Sequence, residues 1–84
     1  MYEVLVERTA EKDVKRLPPA VLRRVVQVIK SFSLVPHPPG CRKISGSENA
    51  WRVRVGDYRI LYEIDDKMTT AKVMRVKHRK EAYR

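Results

Sequence analysis

The sequence predicts an α+β domain in which a two-helix hairpin covers one face of a curved, mainly antiparallel sheet. Three observations lead to this prediction: strand-like alternation near the N-terminus, two stretches with helical spacing after it, and renewed alternation from Trp51 onward. The predicted order is an N-terminal strand, two helices and then three antiparallel strands, β-α-α-β-β-β. With 84 residues the chain has room for a single domain, residues 1–84.

The first strand and the first helix are predicted from the N-terminal residues. Tyr2, Val4 and Val6 share one face of the predicted strand. Thr9 is a suitable N-cap for the helix, because its hydroxyl can accept a hydrogen bond from an amide of the first turn. The apolar stripe of this helix comprises Ala10, Val14 and Leu17. The pair Pro18-Pro19 then ends it.

A second helix is predicted from Pro19 to about Ser33. Proline is well tolerated at the first helical position, since the N–H that it lacks would have no intrahelical acceptor there. The predicted buried face follows helical spacing and consists of Leu22, Val25, Val26, Ile29 and Phe32. The basic residues outside this stripe are expected to face solvent. The Pro- and Gly-rich residues 35–47 are predicted to form a connecting loop.

A β-hairpin with a basic face is the most informative prediction. Residues 51–63 contain two alternating runs joined by Gly56-Asp57, the pattern of a two-residue hairpin loop. With that loop, Val55 pairs with Tyr58, Arg54 lies opposite Arg59, and Arg52 lies opposite Leu61. Three guanidinium groups then converge on one face, a costly arrangement that indicates a bound anion. The opposite face carries Trp51, Val53, Val55, Tyr58 and Tyr62, which are expected in the core.

The last strand is predicted from about Thr70 to Lys77, after a turn at residues 65–67. Alternation places Lys72, Met74 and Val76 on one face, and it extends to His78, which is therefore expected to point toward the core. Residues 78–84 form a tail that can reach the basic face if it folds back.

The charge balance indicates a polyanionic partner. The chain has 19 Lys and Arg residues against 10 Asp and Glu residues, a formal net charge of +9, so nucleic acid is the first expectation. No stretch approaches the roughly 20 apolar residues of a spanning helix, and a signal-peptide pattern is lacking, so we expect a cytoplasmic protein without membrane contact. The single cysteine, Cys41, excludes an internal disulfide and a Cys-rich metal site.

Two segments carry a resemblance to a known family. Residues 51–66 read Trp-Arg-Val-Arg-Val-Gly-Asp-Tyr-Arg-Ile-Leu-Tyr-Glu-Ile-Asp-Asp, and residues 73–84 read Val-Met-Arg-Val-Lys-His-Arg-Lys-Glu-Ala-Tyr-Arg. Together with the Leu17-Pro18-Pro19 junction, they resemble the RelE branch of the RelE/ParE toxin superfamily of prokaryotic toxin–antitoxin systems. The resemblance covers nearly the whole chain.

This resemblance implies a ribosome-dependent mRNA endoribonuclease that acts in the ribosomal A site, inhibits translation and is silenced by a cognate antitoxin. In that family the 2′-hydroxyl of the RNA attacks the adjacent phosphate and expels a 5′-hydroxyl, with no metal, no cofactor and no covalent enzyme intermediate. The implied partners are the antitoxin and the ribosome with its mRNA. We expect the toxin alone to be a monomer and its complex with the antitoxin to be a hetero-oligomer.

The resemblance also implies catalytic positions. Arg52 and Arg54 match two strand lysines of the best-known members, and Arg59 matches an arginine that stabilises the phosphate. Arg79 matches a proposed general-acid arginine, and Tyr83 matches a tyrosine on which a base stacks. The alternative for Tyr83 is that it anchors the tail in a hydrophobic groove.

Three further residues, Arg75, Lys77 and His78, are expected to bind substrate, although a solvated role is equally compatible with the first two. The identity of the general base stays open, because an arginine remains protonated at neutral pH and is a poor proton acceptor. His78 is one candidate, because histidine is the side-chain type most often used as a general base. Glu63 shares a face with Arg59, but a carboxylate beside arginines more often pairs with them.

Two other functions are compatible with the sequence. A non-catalytic inhibitor of the ParE type, which binds DNA gyrase, would use the same fold. A degenerate toxin kept for antitoxin or operator binding is a third possibility.

Overall fold

The computed structural model describes residues 1–82, which form five strands and three helices. In chain order these elements are β1 (Glu3–Val6), α1 (Arg8–Lys15), α2 (Pro19–Ser31), β2 (Arg42–Lys43), β3 (Ala50–Val55), β4 (Tyr58–Asp65), β5 (Thr70–His78) and α3 (Arg79–Ala82). The predicted order of strand, two helices and three strands is confirmed. The structure adds a short strand, β2, inside the segment that was predicted to be a loop, and a short C-terminal helix, α3.

The strands form one mixed sheet in the order β1-β5-β4-β3-β2. The pair β1–β5 is parallel, whereas β5–β4, β4–β3 and β3–β2 are antiparallel. The first strand therefore lies at one edge, beside the last long strand, and the sheet ends at the other edge with β2. The three antiparallel strands predicted from the C-terminal half make up its centre.

The hydrophobic core lies between the two long helices and one face of this sheet. Helix α2 contributes Val25 and Ile29, and the fully buried Phe32 follows its last turn. The ring of Phe32 stacks on that of Tyr62 in β4, with centroids 4.3 Å apart. The sheet contributes Val53, Val55, Ile60, Tyr62, Ile64, Ala71, Val73 and Val76. Of the predicted α2 stripe, Leu22 and Val26 are only half-buried.

Strand β5 contains an irregularity that the alternation did not predict. The register between β4 and β5 shifts at Leu61/Tyr62, so that Leu61 pairs with Arg75 whereas Tyr62 pairs with Val73. Met74 is the extra residue of this β-bulge, which puts the two halves of β5 out of phase. The prediction that Lys72 and Met74 share the core face with Val76 is therefore wrong: Ala71 and Val73 are buried instead.

Beyond the end of β1, side chains of helix α1 form hydrogen bonds with the edge of β5. The helix begins at Arg8, so the prediction that Thr9 is its N-cap is wrong; the cap position is Glu7, without a side-chain cap bond. The Thr9 hydroxyl instead donates to the carbonyl of Met74 at 3.1 Å. The Asp13 carboxylate accepts the Val76 backbone N–H at 3.0 Å. Side chains of α1 thus bond the backbone groups that a neighbouring strand would otherwise pair.

Candidate nucleic-acid interface

The hairpin of β3 and β4 has the register that the sequence predicts. Val55 pairs with Tyr58, Arg54 with Arg59, and Arg52 with Leu61. Gly56 has a φ of +60°, whereas Asp57 has no positive φ. Glycine at the first loop position is typical of a type II′ turn, whose twist suits a two-residue hairpin. The turn thereby fixes which side chains of the two strands lie opposite each other.

Basic side chains occupy two adjacent rows on the sheet face opposite α1 and α2, here called the open face. One row crosses the sheet through Arg42, Arg52, Leu61 and Arg75. The next row crosses it through Arg54, Arg59 and Lys77. Directly opposite residues have Cβ atoms about 4.5–5.5 Å apart, so several of these charges repel each other. The open face is therefore suited to an anion that lies between them.

A pocket of about 440 Å³ lies on this face and is lined by Gly40, Arg42, Arg52, Arg54 and Arg59. Its size falls within the roughly 300–1,000 Å³ typical of ligand sites. The lining differs from most such sites, because four of the five residues are arginines. Arg54 is held in place by a hydrogen bond from its Nε to the carbonyl of Gly56 at 2.9 Å. Such planar, multi-donor cations match phosphate oxygens in pairs.

Arg42 belongs to this pocket, although the sequence pattern does not predict a role for it. It lies on β2 opposite Arg52, and β2 is only two residues long. A strand of that length shows no alternation, and the surrounding prolines and glycines are typical of a loop. The only available signal was the adjacent basic pair Arg42-Lys43 shortly before the basic hairpin.

Two of the predicted substrate-binding residues lie on the open face in different surroundings. Lys77 is half-buried and pairs with Arg59. Arg75 forms a two-bond ion pair with Asp13, from Nε to Oδ2 at 2.8 Å and from Nη2 to Oδ1 at 3.2 Å. The guanidinium of Arg75 is thus directed to the edge of β5 beside α1, and Arg75 does not line the pocket.

His78 lies on the other side of the sheet, as its alternation with Val76 predicts. It pairs with Tyr58, and the two rings meet edge to face with centroids 5.2 Å apart. Its Nδ1 accepts the backbone N–H of Lys80 at 3.3 Å. The other candidate base, Glu63, lies on the open face with Lys72 at 3.6 Å as an ion-pair partner. Neither residue lines the arginine pocket.

The C-terminal segment turns into α3 directly after β5. The backbone N–H of Arg79 donates to the carbonyl of Asp57 at 2.7 Å, which holds the start of α3 against the hairpin loop. The side chain of Arg79 is exposed and does not line the pocket. The predicted stacking residue, Tyr83, lies outside the described residues.

Within residues 1–82, no three His, Cys, Asp or Glu side chains gather in a way that could hold a metal ion. Over the same residues, no helix is both long enough and apolar enough to cross a membrane.

Comparison with known proteins identifies the family. The profile described as "ParE toxin of type II toxin-antitoxin system, parDE" matches residues 4–83. The chain belongs to the RelE/ParE family of type II toxins. Within that family it is similar to toxin RelG of Mycobacterium tuberculosis, with 38% identity over 99% of this chain and 97% of the relative.

Solved structures of RelE/ParE toxins have the same fold. The toxin–antitoxin complex RelBE2 of Mycobacterium tuberculosis contains a chain with 34% identity and a TM-score of 0.80, covering 92% of this chain and 96% of that one. The RelE–RelB complex of Pyrococcus horikoshii contains one with 28% identity and a TM-score of 0.83, covering 93% and 94%. Both of these relatives were crystallised together with an antitoxin. The fold is thus that of a RelBE-type toxin over nearly its full length.

Proposed function

We propose that this RelE/ParE toxin is a ribosome-dependent endoribonuclease that cleaves mRNA in the ribosomal A site and so stops translation. The observation that carries the proposal is the pocket in which Arg42, Arg52, Arg54 and Arg59 converge on one sheet face. Toxins named RelE and RelG are among the relatives with at least 30% identity over nearly the whole chain, which favours the RelE branch over the ParE branch.

In the proposed reaction one phosphorus–oxygen bond forms and another breaks. The 2′-oxygen of one nucleotide attacks the adjacent phosphorus, and the bond from phosphorus to the 5′-oxygen of the next nucleotide breaks. The 2′-hydroxyl loses its proton and the departing 5′-oxygen gains one, so the products are a 2′,3′-cyclic phosphate and a 5′-hydroxyl. The phosphorus passes through a five-coordinate state with additional negative charge on its oxygens.

The pocket contributes to catalysis mainly by placing fixed positive charge beside the phosphate. Donors that are already in place where negative charge develops usually supply the largest catalytic contribution, a few kcal/mol for each well-placed group. Arg54 and Arg59 lie opposite each other, and we assign the scissile phosphate to this pair. Arg52, in the adjacent row, binds the same RNA strand. Arg79 protonates the 5′-oxygen, and Tyr83 stacks on a neighbouring base.

Geometry argues against both candidate proton acceptors, His78 and Glu63. His78 packs against Tyr58 on the side of the sheet opposite the arginines, so it serves to hold the end of β5 rather than to take the 2′-proton. Glu63 lies on the correct face, but Lys72 holds its carboxylate. The pocket therefore acts chiefly by stabilising the charged state of the phosphate, and the 2′-proton leaves to a group of the ribosome or to water.

Single-stranded message in the decoding site suits this surface better than duplex RNA. The deep, narrow major groove of A-form RNA excludes side chains, whereas an unpaired strand can lay its phosphates against a basic sheet face. The net charge of +9 also calls for an antitoxin that neutralises the toxin. We propose an acidic antitoxin segment that folds as it binds.

The deciding experiment is the mapping of 5′ ends on translated messages after the toxin is induced. New 5′ ends inside codons, absent when translation initiation is blocked, are the expected result. The pocket variant Arg54→Gln should lose this cleavage, whereas Lys43→Gln, which removes a charge from the same sheet outside the pocket, should keep it. Intact message together with inhibited DNA gyrase would replace the proposal with a ParE-type function.

A further inference from the structure

We propose that Arg42 and Arg52 form a second phosphate subsite, beside the one formed by Arg54 and Arg59, so that the pocket holds two successive phosphates of one RNA strand. The proposal rests on the RNA-cleaving function above and goes beyond it, because it gives a role to Arg42 on the short edge strand.

The sheet register defines the two subsites. Arg42 is the direct neighbour of Arg52 across β2 and β3, and Arg54 is the direct neighbour of Arg59 across β3 and β4. Arg52 and Arg54 are two residues apart on β3, and the second pair also lies one strand further across the sheet. At about 3.4 Å per residue and about 4.8 Å per strand, the centres of the two pairs are about 8 Å apart. Flexible arginine side chains at this distance can engage two separate phosphates of one strand.

The positive charge of the pocket also exceeds what one phosphate can neutralise. A phosphodiester carries one negative charge, and a single guanidinium can engage its two non-bridging oxygens with two parallel hydrogen bonds. Four arginines line the pocket. The pocket volume of about 440 Å³ is likewise larger than one phosphate group. Two phosphates, each between two arginines, account for both the volume and the charge.

The edge strand itself provides a matched control. Arg42 and Lys43 are consecutive, both exposed, and together make up the whole of β2. Because successive side chains of a strand point to opposite faces, Arg42 lines the pocket and Lys43, which pairs with Trp51, does not. Replacing either residue by alanine removes the same charge from the same element, and only one of the two changes the proposed subsite.

The test is single-turnover cleavage of mRNA on programmed ribosomes, with toxin in excess over a range of concentrations. Arg42→Ala should raise the half-saturating toxin concentration about tenfold and change the saturating rate less than twofold. Lys43→Ala should match the wild type. Equal behaviour of the two variants would overturn the subsite, as would a loss confined to the saturating rate.

A second measurement links Arg42 to a particular phosphate. The two phosphates that flank the cleaved one are replaced in turn by uncharged methylphosphonates. One of these messages should weaken wild-type binding, and it should weaken the binding of Arg42→Ala less, because one of the two arginine contacts to that phosphate is already absent. Fully additive effects for both messages would contradict the proposal.

A failure of the proposed RNA-cleaving function can be distinguished from a failure of the second phosphate subsite. If the wild-type toxin cleaves no message on the ribosome, the proposed reaction is wrong, and the subsite is then tested by fluorescence anisotropy with single-stranded RNA oligonucleotides. Weaker binding by Arg42→Ala than by Lys43→Ala supports two phosphate positions, and equal binding of the two variants rejects them.

Discussion

Arg54 and Arg59 lie directly opposite each other across the β3–β4 hairpin. Like charges in this position destabilise a sheet. The cost falls in the centre of the molecule, because β4 is the middle strand of the sheet. The pair thus lowers folding stability while it concentrates positive charge, and such an arrangement is typical of functional sites.

Replacing one member of this pair should separate stability from activity. Arg54→Thr removes the repulsion with Arg59 and introduces a residue that favours strands. We expect a free energy of unfolding equal to the wild type or up to about 1 kcal/mol higher, together with loss of growth arrest. Urea unfolding and a growth assay measure the two effects. Lys43→Thr is the control on the same sheet, and full toxicity of Arg54→Thr would contradict the role of the pair.

The ion pair of Asp13 with Arg75 should make stability depend on pH. Burial of the Asp13 carboxylate acts to raise its pKa, but the hydrogen bonds from Arg75 and the Val76 N–H, with the Arg75 charge, outweigh this and lower it below the ordinary value. The carboxylate therefore stabilises the fold fully above the unfolded pKa of about 3.9 and stops doing so as pH falls through the folded pKa.

Asp13→Asn should remove this dependence. At pH 7 we expect the free energy of unfolding to fall by about 1–3 kcal/mol, because a charged hydrogen-bond acceptor in a partly buried site is lost. The difference from the wild type should shrink as the pH approaches 3. Urea unfolding over this pH range measures it, with Glu48→Gln as the exposed control. A constant difference across the range would argue against the carboxylate as the cause.

The hairpin loop should tolerate no side chain at its first position. Gly56 has a φ of +60°, and an L-residue in the left-handed region costs roughly 1–2 kcal/mol. A Cβ at this position would also lie 3.3 Å from Nη1 of Arg24 on α2. We expect Gly56→Ala to lower the free energy of unfolding by more than about 1 kcal/mol. Thermal unfolding of this variant and of Asp57→Ala, which changes the other loop residue, tests whether backbone conformation is the reason.

His78 should act on structure rather than on proton transfer. Its ring contacts Tyr58 and its Nδ1 accepts the Lys80 N–H. We therefore expect His78→Asn to lower thermal stability while the pH profile of mRNA cleavage keeps its shape. Ribosomal cleavage measured between pH 5.5 and 8.5, at temperatures where the variant stays folded, provides the comparison. Loss of an inflection near the ordinary histidine pKa of about 6.5 would restore His78 as the base.

The parts of the structure that the sequence predicts well are the parts that depend on neighbours along the chain. The hairpin register follows from one two-residue loop and two alternating runs, so Arg52, Arg54 and Arg59 could be placed on one face. The helix that begins at Pro19 follows from its spacing in the same way. Local periodicity carries this information because side-chain direction repeats every two residues in a strand and every 3.6 in a helix.

The parts that the sequence predicts poorly depend on distant segments. Arg42 reaches the pocket only because β2 pairs with β3, and a two-residue strand has no pattern of its own. Thr9 resembles a helix cap, but its hydroxyl bonds Met74, 65 positions further along the chain. Strand alternation predicts Arg75 on the basic face, but its ion pair with Asp13 turns the guanidinium toward the sheet edge. Each outcome is decided by tertiary contacts that compete with a local preference.

The bulge at Met74 affects how this chain should be aligned with its relatives. Because one additional residue reverses the phase of the strand, Lys77 falls in the row of Arg59 only when Met74 is counted as the insertion. In an alignment with a toxin that lacked this bulge, the gap would belong opposite Met74, so that every later cation stays in step. A gap opened a few positions away would exchange inward and outward residues.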